Sequence, residues 1–88
     1  MRGAEGKFTA ADIDAIFKQQ RGKCAYFGKR SDCLGKITKR TMHRDHIVPV
    51  IDGGSNWPSN IQLTCKTCNL RKSAKDPIAF AQECGLLL

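Results

Sequence analysis

Cysteine is the residue that most constrains this chain: five fall within 88 residues, two of them as Cys65-Lys66-Thr67-Cys68. A chain of this length makes one domain and buries only roughly 60–65% of the surface its unfolded form exposes, so its apolar core is thin. Domains of that size commonly depend on a disulfide or a metal staple. An odd number of thiols leaves at least one outside any pairing. The N-terminus lacks the apolar run of a secretory signal, and no later run reaches membrane-spanning length. The expectation is an intracellular, cytoplasmic, reducing setting with no membrane partner, where thiolate–metal bonds prevail over disulfides.

Two thiolates three residues apart at the start of a helix can chelate one tetrahedral ion, and zinc is the usual one. The upstream candidates are Cys24 and Cys33. A second C-x2-C pair would place the partner of Cys24 at position 27, where Phe27 stands. Cys33 takes that role only if residues 28–32 fold back as a long knuckle. The expectation is therefore a structural zinc ion held by Cys24, Cys33, Cys65 and Cys68. The alternative is a residual site or none, with Cys24 and Cys33 simply buried. Cys84 reads as a free buried thiol.

Residues 1–8 are glycine-rich and charged, and read as a flexible arm ahead of a single domain over 9–88. Thr9 looks like an N-cap, and Ile13, Ile16 and Phe17 recur at helical spacing, so the pattern predicts a helix over 10–21 stopped by Gly22. Residues 23–39 are short-patterned and turn-rich. Residues 41–48 have strand character, ended by Pro49, and 50–59 form a loop marked by Asp52-Gly53-Gly54-Ser55. A second strand over 60–64 alternates Ile61 and Leu63 with Gln62 and Thr64. A helix from 66 to 74 follows. Asp76-Pro77 then opens a last helix, which Gly85 closes. The fold class is α+β.

Fifteen Lys and Arg against eight Asp and Glu give a net charge of +7. Such an excess suits a polyanion, because binding releases condensed counterions, although charge alone names no function. A sharper signal is Arg44-Asp45-His46-Ile47-Val48-Pro49, then Gly53-Gly54, then Asn60, then Cys65-Lys66-Thr67-Cys68-Asn69-Leu70-Arg71-Lys72. Taken singly, each residue has a blander use as a turn, cap or surface group. Together, in this order, they suit phosphodiester hydrolysis. Imidazole exchanges protons near neutral pH and can activate water. One carboxylate and one amide oxygen can hold a hard divalent ion while leaving room for water and phosphate. Such an ion offsets the charge on phosphorus and on the leaving oxygen.

This pattern resembles the HNH nuclease family over roughly half the chain, from Cys24 to Lys75. The resemblance implies a small ββα-metal domain with a zinc knuckle and flanking helices. It further implies a DNA endonuclease that leaves 5′-phosphate and 3′-hydroxyl ends. It assigns Asp45 and Asn69 as ligands of catalytic magnesium or manganese and His46 as general base. Asn60 would orient that histidine through its backbone or ring. The family's final histidine is often asparagine, as here.

Lys72 lies three residues after Asn69, on the same side of a helix, and is the first candidate for a phosphate contact. Arg71, Lys75 and Arg44 extend the positive surface, supporting backbone contacts that read no sequence. No dedicated recognition helix is evident, so the expectation is weak or structure-based selectivity, with a protein partner as an alternative source of specificity. Strand parity raises one difficulty: Asp45 and His46 cannot both face the helix in a regular strand, so distortion is expected at the strand end. Parity also puts His43 on the face of Asp45, as a surface group, an added ligand or a phosphate contact. Trp57 serves either as a loop anchor or as a DNA contact. The rival readings are a non-catalytic zinc-containing DNA-binding module and a cysteine-based redox or metal sensor.

Overall fold

The computed structural model describes residues 4–73 and 77–85. Helix α1 spans Ala10–Gln19, strand β1 His43–His46 and strand β2 Ile61–Thr64, followed by helices α2, Lys66–Ser73, and α3, Pro77–Glu83. Short 3-10 turns at Val50–Asp52 and Pro58–Asn60 lie between the strands. Helices pack around a two-stranded antiparallel sheet, in an α+β fold of the ββα type.

Helix α1 begins where the sequence places it. Thr9 Oγ1 accepts the Asp12 N–H at 3.2 Å and Asp12 Oδ2 accepts the Thr9 N–H at 2.8 Å, a reciprocal capping box. The helix ends two residues earlier than expected. Arg21 (φ 56) and Gly22 (φ 66) both turn left-handed, and their N–H groups bond back to Lys18 and Phe17 carbonyls at 3.0 and 3.1 Å. That is a Schellman closure, with an arginine in the position glycine usually takes.

The strands pair His43 with Thr64, Arg44 with Leu63, Asp45 with Gln62 and His46 with Ile61. Strand β1 is half the expected length, for reasons visible at both ends. Upstream, the N–H groups of Thr41 and Met42 fold back on the Thr38 carbonyl. Downstream, Val48 turns its N–H to the Asn60 side chain at 2.8 Å and leaves the ladder. On the other side of β2, the Gln20 side-chain amide accepts the Leu63 N–H at 3.0 Å and donates to the Leu63 carbonyl at 2.9 Å.

The core comprises Ile13, Tyr26, Ile37, Ile61, Leu63 and Phe80 together with Cys24, Cys65, Cys68 and Cys84. Tyr26 meets Phe80 edge to face with ring centroids 5.0 Å apart, which docks α3. Arg30 ties the knuckle to that helix: it grips both Asp32 oxygens (2.9 and 3.3 Å), bonds Glu83 at 2.7 Å and lies over the Phe80 ring. Cys84 is buried beside it, and burial pushes its thiol up from the ordinary value. The expected Asp76 cap and the end of α2 at residue 74 fall outside the described residues. No helix among those described is long and apolar enough to cross a membrane.

Candidate active site and metal centre

The knuckle brings Cys33 to the place left open by Phe27. The sulfurs of Cys24, Cys33, Cys65 and Cys68 all lie within 4.8 Å of one another. Zinc–sulfur bonds of about 2.3 Å put tetrahedral sulfurs about 3.8 Å apart, so a small contraction of this set would hold the ion. Backbone amides already point at the sulfurs. Tyr26 and Cys65 donate to Cys24 at 3.4 and 3.2 Å, Gly35 donates to Cys33 at 3.4 Å, and Leu34 and Cys68 donate to Cys65, each at 3.4 Å.

N–H donors stabilise thiolate, the form that binds metal. At Cys65 burial raises the thiol, but the amides of Cys68 and Leu34 and the neighbouring thiols outweigh it and draw it down to about 7. Burial dominates at Cys24, pushed up to about 11, and raises Cys68 as well, helped by hydrogen bonding to Cys65 and Cys33. Four sulfurs this close together, met by backbone N–H donors, form a set that could hold a metal ion.

The second centre is an open cleft of about 490 Å³ between the end of β1, Pro49 with the 3-10 turn Val50–Asp52, and the last turn of α2. Arg44, Asp45, His46, Lys72 and Ser73 line it. Asp45 stands opposite Gln62 on the sheet, and Gln62 Nε2 donates both to Asp45 Oδ2 at 2.7 Å and to the Tyr26 hydroxyl at 2.9 Å. Burial is the main cause that pushes this phenol up to about 12, with Asp45 adding to it. Tyr26 is therefore neutral at physiological pH and serves as a fixed acceptor.

From the facing helix, Lys72 Nζ donates to Asp45 Oδ2 at 2.7 Å and to the His46 carbonyl at 2.6 Å. Only 10% of the lysine and 12% of the aspartate side chain is exposed. Lys72 is thus the counter-ion of Asp45 in this state. Asp45 Oδ1 carries no hydrogen bond among the described residues.

Strand parity sends the His46 side chain off the helix-facing side. As the last residue of β1 it still borders the cleft, and Nε2 lies 2.6 Å from Asn56 Oδ1 in the following loop. The ring's partner is thus Asn56, a residue the motif did not single out. Asn60 instead clamps the loop. Its Oδ1 accepts from Val48 N–H at 2.8 Å, and its Nδ2 donates to the carbonyls of Val48 at 3.0 Å and Ser55 at 2.8 Å. Its own carbonyl accepts from Ile47 N–H, one residue beyond His46.

Asn69 is not part of the cleft lining. It shares the α2 face that carries Lys72 and Ser73, at spacings of three and four, and its side-chain amide has no hydrogen-bond partner among the described residues. Among the basic candidates, Arg44 is exposed at the cleft with its guanidinium over the Phe8 ring at 5.6 Å. Arg71 reaches Asp32 at 3.1 Å, and Lys75 lies outside the described residues. His43 does not border the cleft. Trp57 stays half exposed while its indole covers Gly6.

The cysteine cluster, the two-stranded sheet and the helix behind it define a metal-binding ββα domain. The HNH endonuclease family model matches residues 24–75, and the chain belongs to that family. It is also 35% identical over 88 aligned positions to the CRISPR-associated endonuclease Cas9 of Actinomyces naeslundii. That match covers 96% of this chain and 7% of that protein.

Proposed function

We propose that this chain is a metal-dependent DNA endonuclease that hydrolyses phosphodiester bonds. The observation that carries this reading is the meeting of Asp45, His46 and Lys72 at one open cleft of a strongly basic domain. His46 takes a proton from the attacking water. Asp45 Oδ1 and the Asn69 amide are the hard oxygens that would hold magnesium or manganese. Such an ion, when bound, offsets charge on the phosphate and the departing 3′ oxygen. Asn60 fixes the loop after His46 and so the position of the strand end. Lys72 passes from Asp45 to the phosphate, while Arg44, Arg71 and Lys75 bind the flanking backbone.

The four cysteines hold structural zinc and stabilise the knuckle on which Tyr26 and the sheet rest. Backbone contacts of this kind read no sequence, so selectivity is weak or structure-based, or is supplied by a protein partner.

The test is nicking of supercoiled plasmid with magnesium or manganese against a chelator control. His46→Ala is expected to lower the rate by about 100-fold or more, the worth of a positioned general base, while DNA retention and melting stay unchanged. Nicking by that variant at the wild-type rate would remove the assignment. A protein that only binds DNA would show no metal-dependent nicking at all.

A further inference from the structure

The ring of His46 is held by a loop residue, and that residue is held in turn by the beginning of the chain. A side-chain carbonyl oxygen only accepts, so Asn56 Oδ1, 2.6 Å from Nε2, requires the ring proton on Nε2. The lone pair of the neutral ring is then on Nδ1, which has no hydrogen-bond partner among the described residues. Asn56 does not float. Its N–H donates to the Glu5 carbonyl at 2.7 Å. Its neighbour Trp57 packs so closely on Gly6 that a Cβ there would come within 2.5 Å of the indole. Gly6 also has φ +88, a conformation side chains resist. Two residues on, Phe8 lies under Arg44, the residue before Asp45. Residues 5–8 thus run along both the loop after β1 and β1 itself.

We infer that Asn56 is a positioning residue: it fixes the tautomer and direction of the His46 imidazole, and residues 5–8 act as the strap that sets its reach. The inference rests on His46 being the general base. Its consequence is that activity depends on how the segment before α1 is seated, which the motif residues alone would not suggest.

The test uses the whole chain labelled with nitrogen-15. Ring proton–nitrogen correlations read the His46 tautomer without substrate, and plasmid nicking supplies kcat and KM. Wild-type protein is expected to show the Nε2–H form. Asn56→Leu, of similar volume but without an acceptor, is expected to populate the other tautomer. It should lower kcat by about 10- to 100-fold with KM within about twofold. Asn56→Asp keeps an acceptor at the same reach and is expected to retain most of the wild-type kcat. Gly6→Val should disturb ring and rate in the same sense, by a smaller factor.

A wild-type ring protonated on Nδ1 overturns the inference, as does an Asn56→Leu variant with unchanged kcat. Full nicking by His46→Ala would instead sink the functional reading and leave the tautomer result standing.

Discussion

Gly54→Ala should damage this protein far more than Gly53→Ala, although the two glycines are adjacent. A Cβ on Gly54 would fall 1.7 Å from the Val48 carbonyl oxygen and 2.9 Å from Asn60 Nδ2. Carbon and oxygen touch at about 3.3 Å, so the two backbone segments must part by about 1.5 Å. That separation breaks the Asn60 clamp, whose three hydrogen bonds measure 2.8, 3.0 and 2.8 Å. At about 0.5–1.5 kcal/mol each, their loss costs about 3 kcal/mol, a large part of a small domain's stability. For a domain this size that lowers Tm by about 12–24 °C.

At Gly53 a Cβ would meet nothing within 4 Å, and the only penalty is a left-handed φ of +91. That costs about 1–2 kcal/mol and leaves the clamp intact. Thermal melts followed by circular dichroism, paired with plasmid nicking, measure both variants. Equal melting of the two variants, or wild-type nicking by Gly54→Ala, would refute the reasoning.

Three further outcomes follow from the geometry. Cys33→Ser should lose the bound zinc measured by elemental analysis and melt early, while Cys84→Ser keeps full metal content; retention of zinc by Cys33→Ser would exclude it as a ligand. Lys72→Met removes the ammonium 2.7 Å from Asp45 Oδ2, so calorimetry should find manganese bound at least about tenfold more tightly; weaker or unchanged binding would contradict its counter-ion role. The Arg30 guanidinium, with Arg71 beyond it, holds the Asp32 carboxyl below its ordinary value. A depressed carboxylate stabilises the fold above its unfolded value, about 3.9, and loses that contribution as pH falls through the folded one. Asp32→Asn should therefore flatten the decline of Tm on the acid side of pH 4, and an unchanged slope would argue against a stabilising Arg30–Asp32 ion pair.

Much of this molecule was legible in its residues because the signals were local. Thr9 and Asp12 announce the first helix, and Gly22 helps to end it. The alternation of Ile61 and Leu63 with Gln62 and Thr64 marks β2. The Cys65/Cys68 spacing fixes the start of α2. What was not legible depended on the chain returning to itself. Cys33 was legible as the fourth sulfur only by elimination at Phe27, and what was hidden is how the knuckle closes, through amides donated by Leu34 and Gly35. Nothing in the motif assigns the imidazole to Asn56, because the Gly53-Gly54 turn decides which loop residue faces His46. Lys72 looked like a free phosphate contact because its partner, Asp45, lies 27 positions earlier in the chain. The only prior signal for Asn56 was its place two residues after that turn, and it was too weak to use.

The amide of Gln20 has a consequence beyond holding α1 to the sheet. By engaging both backbone groups of Leu63, with the Ala25 N–H on the same carbonyl, it closes the outer edge of β2 to a further strand. Two copies of this domain, or a stretch of foreign polypeptide, cannot zip onto β2 there without first evicting a side chain that belongs to the fold. On that side the edge of the platform beneath the cleft is thereby set from within the domain.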